Sequence, residues 1–208
     1  MARKTVPLVN GEIYHIFNRG SNKREIFLDK WDFLRFYNTL TLFNCESPVK
    51  SYRLAQSVKH TGERRLVSIL AYSLLPNHFH LLLEQEIEGG VSEFLKRLVG
   101  GYTSYFNERY ERSGVLFDGT YKRVLVTRDA QFNYLFNYVN ENHYVHEIPR
   151  PEEIIYSSSL HYQKKISSKA IAERHSSIPE TYNLKSAIEL AKDIYRRRKE
   201  EKHNLTLE

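Results

Sequence analysis

The chain has 208 residues, 41% of them hydrophobic, and a formal net charge of +6. That is enough chain for one domain with a substantial core, and no apolar run approaches the roughly 18 residues of a membrane span. A single cysteine, Cys45, excludes an internal disulfide and a cysteine-rich zinc site.

Residues 1–11 are too short and too polar for a signal peptide, so a cytoplasmic protein is expected. Residues 12–18 read as a first strand, ended by the turn Asn18-Arg19-Gly20-Ser21-Asn22. Asp29 stands where an N-cap would, before a helix over residues 30–44. Trp31, Leu34, Phe36, Tyr37, Leu40 and Phe43 give that helix a broad apolar face. Residues 45–65, with Pro48 and Gly62, read as a loop or short insertion. Residues 66–75 make a second strand, and Pro76-Asn77 turns it into the run His78-Phe79-His80-Leu81-Leu82-Leu83-Glu84, so the two should pair as a hairpin.

Gly89-Gly90 breaks the chain, and Ser92 is a candidate cap for a helix to about Arg112. Phe94, Leu95, Leu98, Val99, Tyr102, Tyr105 and Phe106 keep its helical period. Gly100-Gly101 interrupts it, at about 1 kcal/mol each against alanine; close packing and close backbone approach both explain such a pair. Ser113-Gly114 ends the helix, and residues 121–126 form a last strand. Thr127 or Asp129 would cap a further helix from Ala130 to about His146, closed by Pro149 and Pro151. After Tyr156-Ser157-Ser158-Ser159 the chain is polar to about residue 183. Then Leu184, Ala187, Ile188, Ala191 and Tyr195 outline an amphipathic helix ending in Arg196-Arg197-Arg198-Lys199. Such a basic end either complements the helix dipole or touches nucleic acid.

Strand, helix, hairpin, helix, strand, helix is an α+β order. It predicts a ferredoxin-like antiparallel sheet with helices packed on one face. The expected division is a domain over residues 1–147, then a polar linker and a basic C-terminal helix over residues 148–208.

The chemistry concentrates in two stretches. Side chains alternate along a strand, so His78 and His80 share a face and Phe79, Leu81 and Leu83 take the other. Two imidazoles roughly 7 Å apart, by two strand rises, can converge on one divalent ion. They can equally be two half-exposed histidines on a polar sheet face. The second stretch is Tyr138-Val139-Asn140-Glu141-Asn142, which puts Tyr138 and Asn142 one helical turn apart. A tyrosine hydroxyl can attack phosphorus where a cation neutralises the phosphate, and an amide oxygen can join two imidazoles as a third ligand. Such a nitrogen and oxygen set suits Mn²⁺ or Mg²⁺, with Zn²⁺ as a further option. Taken alone, Tyr138 reads first as a packing tyrosine and Asn142 as a helix-end amide.

Several segments together resemble the single-tyrosine HUH transposases, within them the REP-associated tyrosine transposase branch. They are Tyr14-His15-Ile16-Phe17-Asn18-Arg19-Gly20, Leu75-Pro76-Asn77-His78-Phe79-His80-Leu81-Leu82, Tyr102-Thr103-Ser104-Tyr105-Phe106-Asn107, Gly114-Val115-Leu116-Phe117-Asp118-Gly119 and the Tyr138 stretch. The resemblance covers about residues 12–147 and extends to Tyr156-Ser157-Ser158. It implies a metal pair at His78 and His80, a liganding amide at Asn142 and a nucleophile at Tyr138. It implies transesterification of single-stranded or hairpin DNA through a 5′-phosphotyrosine, with Mg²⁺ or Mn²⁺, by a monomer or homodimer. Candidate DNA contacts are Arg19, Lys96, Arg97, Arg109, Lys122 and Arg123, with Tyr102 and Tyr105 as stacking platforms. The chain departs from the family at Asn142-His143, where a proline usually follows the amide. It departs again at Thr120-Tyr121-Lys122, where arginine usually leads, and in a longer stretch at residues 46–65.

Two other classes fit parts of the sequence. One is a non-catalytic, domesticated nucleic-acid-binding protein on the same sheet. The other is a different His-x-His metalloenzyme: a histidine-triad hydrolase would want a third alternating histidine where Leu82 stands, and a cupin would want glycine-rich strands without long helices.

Overall fold

The structure is a computed structural model. It describes residues 6–57, 63–146, 156–165, 167–171 and 178–206, with backbone alone at 198 and 201–206. Gly62, Pro149 and Pro151 lie outside the described residues. In chain order the elements are β1 (Ile13–Arg19), α1 (Lys30–Leu42), α2 (Tyr52–Ser57), β2 (Val67–Leu75), β3 (His78–Gln85) and α3 (Gly90–Arg109). There follow β4 (Lys122–Val126), α4 (Asp129–Asn140), α5 (Asn142–Val145), α6 (Ser159–Tyr162) and α7 (Leu184–Thr206).

The four strands form one antiparallel sheet in the order β2-β3-β1-β4. This is the expected α+β, ferredoxin-like arrangement, with β2 and β3 joined as the expected hairpin. The helices, however, lie on both faces of the sheet. The reason is in the strands: β2 is buried at every position, and β3 is apolar on both parities around its histidines. On one face Tyr14, Ile16, Ile69, Tyr72, Phe79, Leu81 and Leu83 pack with Phe36 and Leu40 of α1 and Phe94, Leu98 and Tyr102 of α3. On the other, Leu70, Ala71, Leu82 and Val126 meet Phe132, Leu135, Phe136 and Val139 of α4, and Ala191 and Ile194 of α7. A register shift between Ile69 and Ala71 lets β2 serve both layers.

Helix ends follow local chemistry, with some corrections. Asp29 caps α1 as expected, accepting from the backbone N–H groups of Trp31 and Asp32. Residues 45–65 contain the short helix α2. α3 starts at Gly90 rather than Ser92, because Gly89 takes the left-handed conformation (φ 69°) that turns the chain into it. Neither Thr127 nor Asp129 caps α4. Arg128 is the N-cap, and the Gln131 side chain accepts from the Thr127 N–H. The helix expected over residues 130–146 is interrupted at Glu141 (φ −110°, ψ 25°), and α5 resumes at Asn142.

Candidate active site

The site forms at the end of the sheet where β2 turns into β3. Pro76 and Asn77 make that turn, and the chain leaving β1 is tied to it. Asn77 O accepts from Gly20 N–H at 2.8 Å, and Pro76 O accepts from the N–H groups of Ile26 and Phe27 at 2.7 and 3.0 Å. A Cβ on Gly20 would sit 2.2 Å from the Arg24 carbonyl oxygen, so only glycine permits this close return of the backbone. Asn22 and Lys23 in the same loop have left-handed backbone, with φ of 55° and 61°.

A cleft of about 530 Å³ opens there. It is lined by Phe17, Asn18 and Arg19 from β1 and its end, Lys23 and Asn77 from the two turns, His78 and His80 from β3, and Asp118 and Lys122 near β4. Tyr138 of α4 and His146 beyond α5 complete the wall. Strand pairing explains the convergence. His78 lies opposite Arg19, and His80 and Lys122 both lie opposite Phe17, so all project from one face. α4 crosses that same face and brings Tyr138 edge-on to His80, ring centroids 5.5 Å apart. Tyr134, one turn earlier and 41% exposed, stacks parallel on Tyr138 at 6.3 Å.

The two histidines are held through their Nδ1 atoms. His78 Nδ1 is 2.6 Å from Asn77 Oδ1, and His80 Nδ1 is 2.9 Å from Nε2 of His15. Their ring centroids are 5.1 Å apart, and His146 lies 4.6 Å beyond His78. Asn142 lies four positions after Tyr138, beyond the break at Glu141, and one turn of α5 before His146, whose N–H donates to the Asn142 carbonyl. It is fully buried, and neither Oδ1 nor Nδ2 of its amide has a hydrogen-bond partner among the described residues. Two pinned imidazoles and a buried amide without a partner among the described residues are donor types that suit a hard divalent cation, but Asn142 is not among the residues that line the cleft with His78 and His80. Among the described residues no three His, Cys, Asp or Glu side chains gather as a metal group.

The charge of the cleft is cationic. Arg19, Lys23 and Lys122 face a single carboxylate, Asp118, which pairs with Arg19 at 3.3 Å. Of the other expected DNA contacts, most lie elsewhere. Arg123 alternates to the opposite face, opposite Ile16. Lys96, Arg97, Tyr102, Tyr105 and Arg109 belong to α3, which covers that opposite face. Tyr102 is fully buried and donates to Ile26 O, which closes its ring to base stacking. Burial, then the Asp32 charge, pushes its phenol far above the ordinary value. Tyr105 donates to Asp32, Arg109 spans Asp29 and Asp32, Arg97 holds Glu93 and the carbonyls of Cys45 and Ser47, and Lys96 pairs with Glu93. These groups knit α3 to α1 and to the loop before α2. Conversely, His15, Lys23, Asp118 and His146 join the site without having been singled out by sequence. For His15 a signal existed, since it shares strand parity with Arg19, but only the register of β1 against β3 brings it to His80.

A family model described as IS200-like transposase matches residues 9–143. A solved REP-associated tyrosine transposase bound to a REP hairpin is similar in fold, with a TM-score of 0.51 and 10% identity over 88% of this chain and 100% of that one. A putative transposase from Deinococcus radiodurans R1 is a weaker likeness, at a TM-score of 0.38 and 14% identity over 65% of this chain and 92% of that one. No curated protein matches.

Proposed function

The chain belongs to the IS200-like transposase family, and from that premise we propose that it cleaves and rejoins single-stranded DNA through Tyr138. The observation that carries this reading is the convergence of His78 and His80 of β3 and Tyr138 of α4, from different sequence regions, on one cationic cleft.

His78, His80 and Asn142 would hold Mg²⁺ or Mn²⁺, which supplies Lewis-acid polarisation and charge neutralisation at a phosphate. Tyr138 Oη attacks the scissile phosphorus and gives up its proton. The bond from phosphorus to the 3′-oxygen breaks, that oxygen takes a proton, and a 5′-phosphotyrosine with a free 3′-hydroxyl results. Rejoining reverses these bonds with another 3′-hydroxyl, so no nucleotide cofactor is consumed. Arg19, Lys23 and Lys122 would carry the strand by its phosphates. The REP hairpin bound by the structural relative suggests a hairpin with a single-stranded flank as the substrate.

The test is incubation of the protein with Mn²⁺ and labelled single-stranded DNA from the flanks of its own gene. The expected product is a covalent protein–DNA band whose adduct maps to Tyr138. Tyr138→Phe removes only the oxygen and should abolish the band, whereas Tyr134→Phe should keep it. Replacing His78 and His80 together by alanine should abolish cleavage while most DNA binding persists. DNA found on any other residue would refute the assignment. Tight hairpin binding with no adduct under any metal would instead make this a non-catalytic DNA-binding member of the family.

A further inference from the structure

We propose that His15 is a positioning residue for the metal site, accepting a hydrogen bond from Nδ1 of His80 and so turning the opposite nitrogen of that ring to the cation. The inference rests on His80 being a ligand, as argued above, and adds His15 as the group that orients it.

His15 Nε2 and His80 Nδ1 are 2.9 Å apart, and both residues are 7% exposed. The two rings are nearly parallel, at 14° with centroids 5.1 Å apart. Phe17 lies against both rings, and Tyr138 meets both edge-on. The pair is therefore flanked by two aromatic rings that pack against both imidazoles. An N–H···N bond has one donor and one acceptor. If His15 donated, the proton of a neutral His80 would sit on Nε2 and block ligation there. If His80 donates from Nδ1, its Nε2 lone pair is left for the metal, and the proton of His15 resides on its own Nδ1. Only the second arrangement is compatible with a ligand at His80. This is the orienting role that outer partners of metal-bound histidines generally play. His15 thus helps set the tautomer before any metal arrives.

Two measurements on the full-length protein test this. Histidine ¹⁵N NMR of the metal-free wild type should show His80 protonated at Nδ1; protonation at Nε2 overturns the proposal. Calorimetric titration with Mn²⁺ alone, without DNA, should show about 10- to 100-fold weaker binding in His15→Phe. His15→Gln keeps an oxygen acceptor near the Nε2 position and should recover most of that loss. Equal Mn²⁺ affinity in wild type and His15→Phe overturns the role of His15 while leaving the metal site standing. A wild-type protein that binds no Mn²⁺ overturns the ligand reading itself, and this inference with it.

Discussion

Arg109 bridges the cap of α1 and the buried carboxylate of Asp32, and its guanidinium is raised further above its ordinary value, first by the hydrogen bond to Asp29. Asp29 shifts the other way. Burial opposes its charge, but bonds from Arg109 and from the N–H groups of Asp32 and Trp31 outweigh it and hold the carboxyl below its usual value. Glu93 is likewise depressed, first by its hydrogen bond from Arg97. A depressed carboxylate contributes stability that is complete above its unfolded-state pKa, near 4, and is lost as pH falls through the folded-state value. Wild-type stability should therefore decline on acidification below about pH 4, and Arg97→Gln should flatten that decline. Glu93 is 40% exposed, so screening keeps the difference within about 1 kcal/mol. Urea unfolding across a pH series measures it, and parallel curves for the two proteins would show that Arg97 does not hold the Glu93 charge. These residues also mark what sequence can reveal. Glu93 and Arg97 stand four apart on one helix, a pairing that local spacing could have revealed, yet Arg97 reads from sequence as a DNA contact; Asp29 and Arg109 lie 80 positions apart and meet only in the fold, so Arg109 too looks available for DNA.

In α3 the adjacent glycines have different reasons. A Cβ on Gly101 would lie 2.8 Å from Cε2 of Phe43, a buried ring after α1, whereas a Cβ on Gly100 meets nothing within 4 Å. Gly100→Ala should then stabilise by about 0.5–1 kcal/mol through helix propensity. Gly101→Ala gains the same propensity but must displace a packed ring, at about 1–3 kcal/mol, and should be neutral to destabilising. Thermal unfolding of the two variants checks the order, and a stabilised Gly101→Ala would show that Phe43 yields easily. Sequence could pose this choice but not resolve it, because the deciding atom belongs to Phe43, just beyond the end of α1. The hairpin, the cap at Asp29 and the shared face of His78 and His80 were legible because each is set within a few residues. The path of α4 was not, since it depends on which face the chain crosses after β4. The break at Glu141 had no local signal either. That carboxylate is fully buried and accepts from the hydroxyls of Ser159 and Tyr182, while Ser158 donates to Asn140 at 2.6 Å and binds the Tyr72 backbone. Segments beyond residue 155 thus hold the junction between Tyr138 and Asn142. Tyr182→Phe, which removes one donor to a buried carboxylate, should cost about 1–3 kcal/mol in denaturant unfolding.

At the scale of the molecule, the C-terminal helix is part of the second layer. Ala187, Ala191 and Ile194 of α7 are buried, the latter two in the cluster that contains Tyr138, Phe136 and Val139. Among the described residues no helix is long and apolar enough to cross a membrane. Removing residues 184–208 should expose the back of α4 and lower the unfolding temperature; Ile194→Ala alone should cost up to about 2–5 kcal/mol. Weaker DNA binding by the truncated chain would therefore not show that the tail touches DNA. Charge reversal separates the two effects. Arg196 and Arg197 have side chains 69% and 74% exposed and pair with Asp193 at 3.8 and 2.8 Å. Reversing both to glutamate should leave stability nearly unchanged, because exposed pairs contribute at most about 1 kcal/mol. In the cleft, by contrast, three cations face one carboxylate, so the surplus positive charge lies beside Tyr138. Binding of a hairpin with a single-stranded flank, followed against salt, reports each phosphate contact as roughly 0.7 in the slope of log K. Lys122→Gln should lower that slope by about one such contact. Arg196→Glu with Arg197→Glu should leave both slope and affinity at wild-type values, and a slope reduced by the tail variant but not by Lys122→Gln would move the DNA from the cleft to α7.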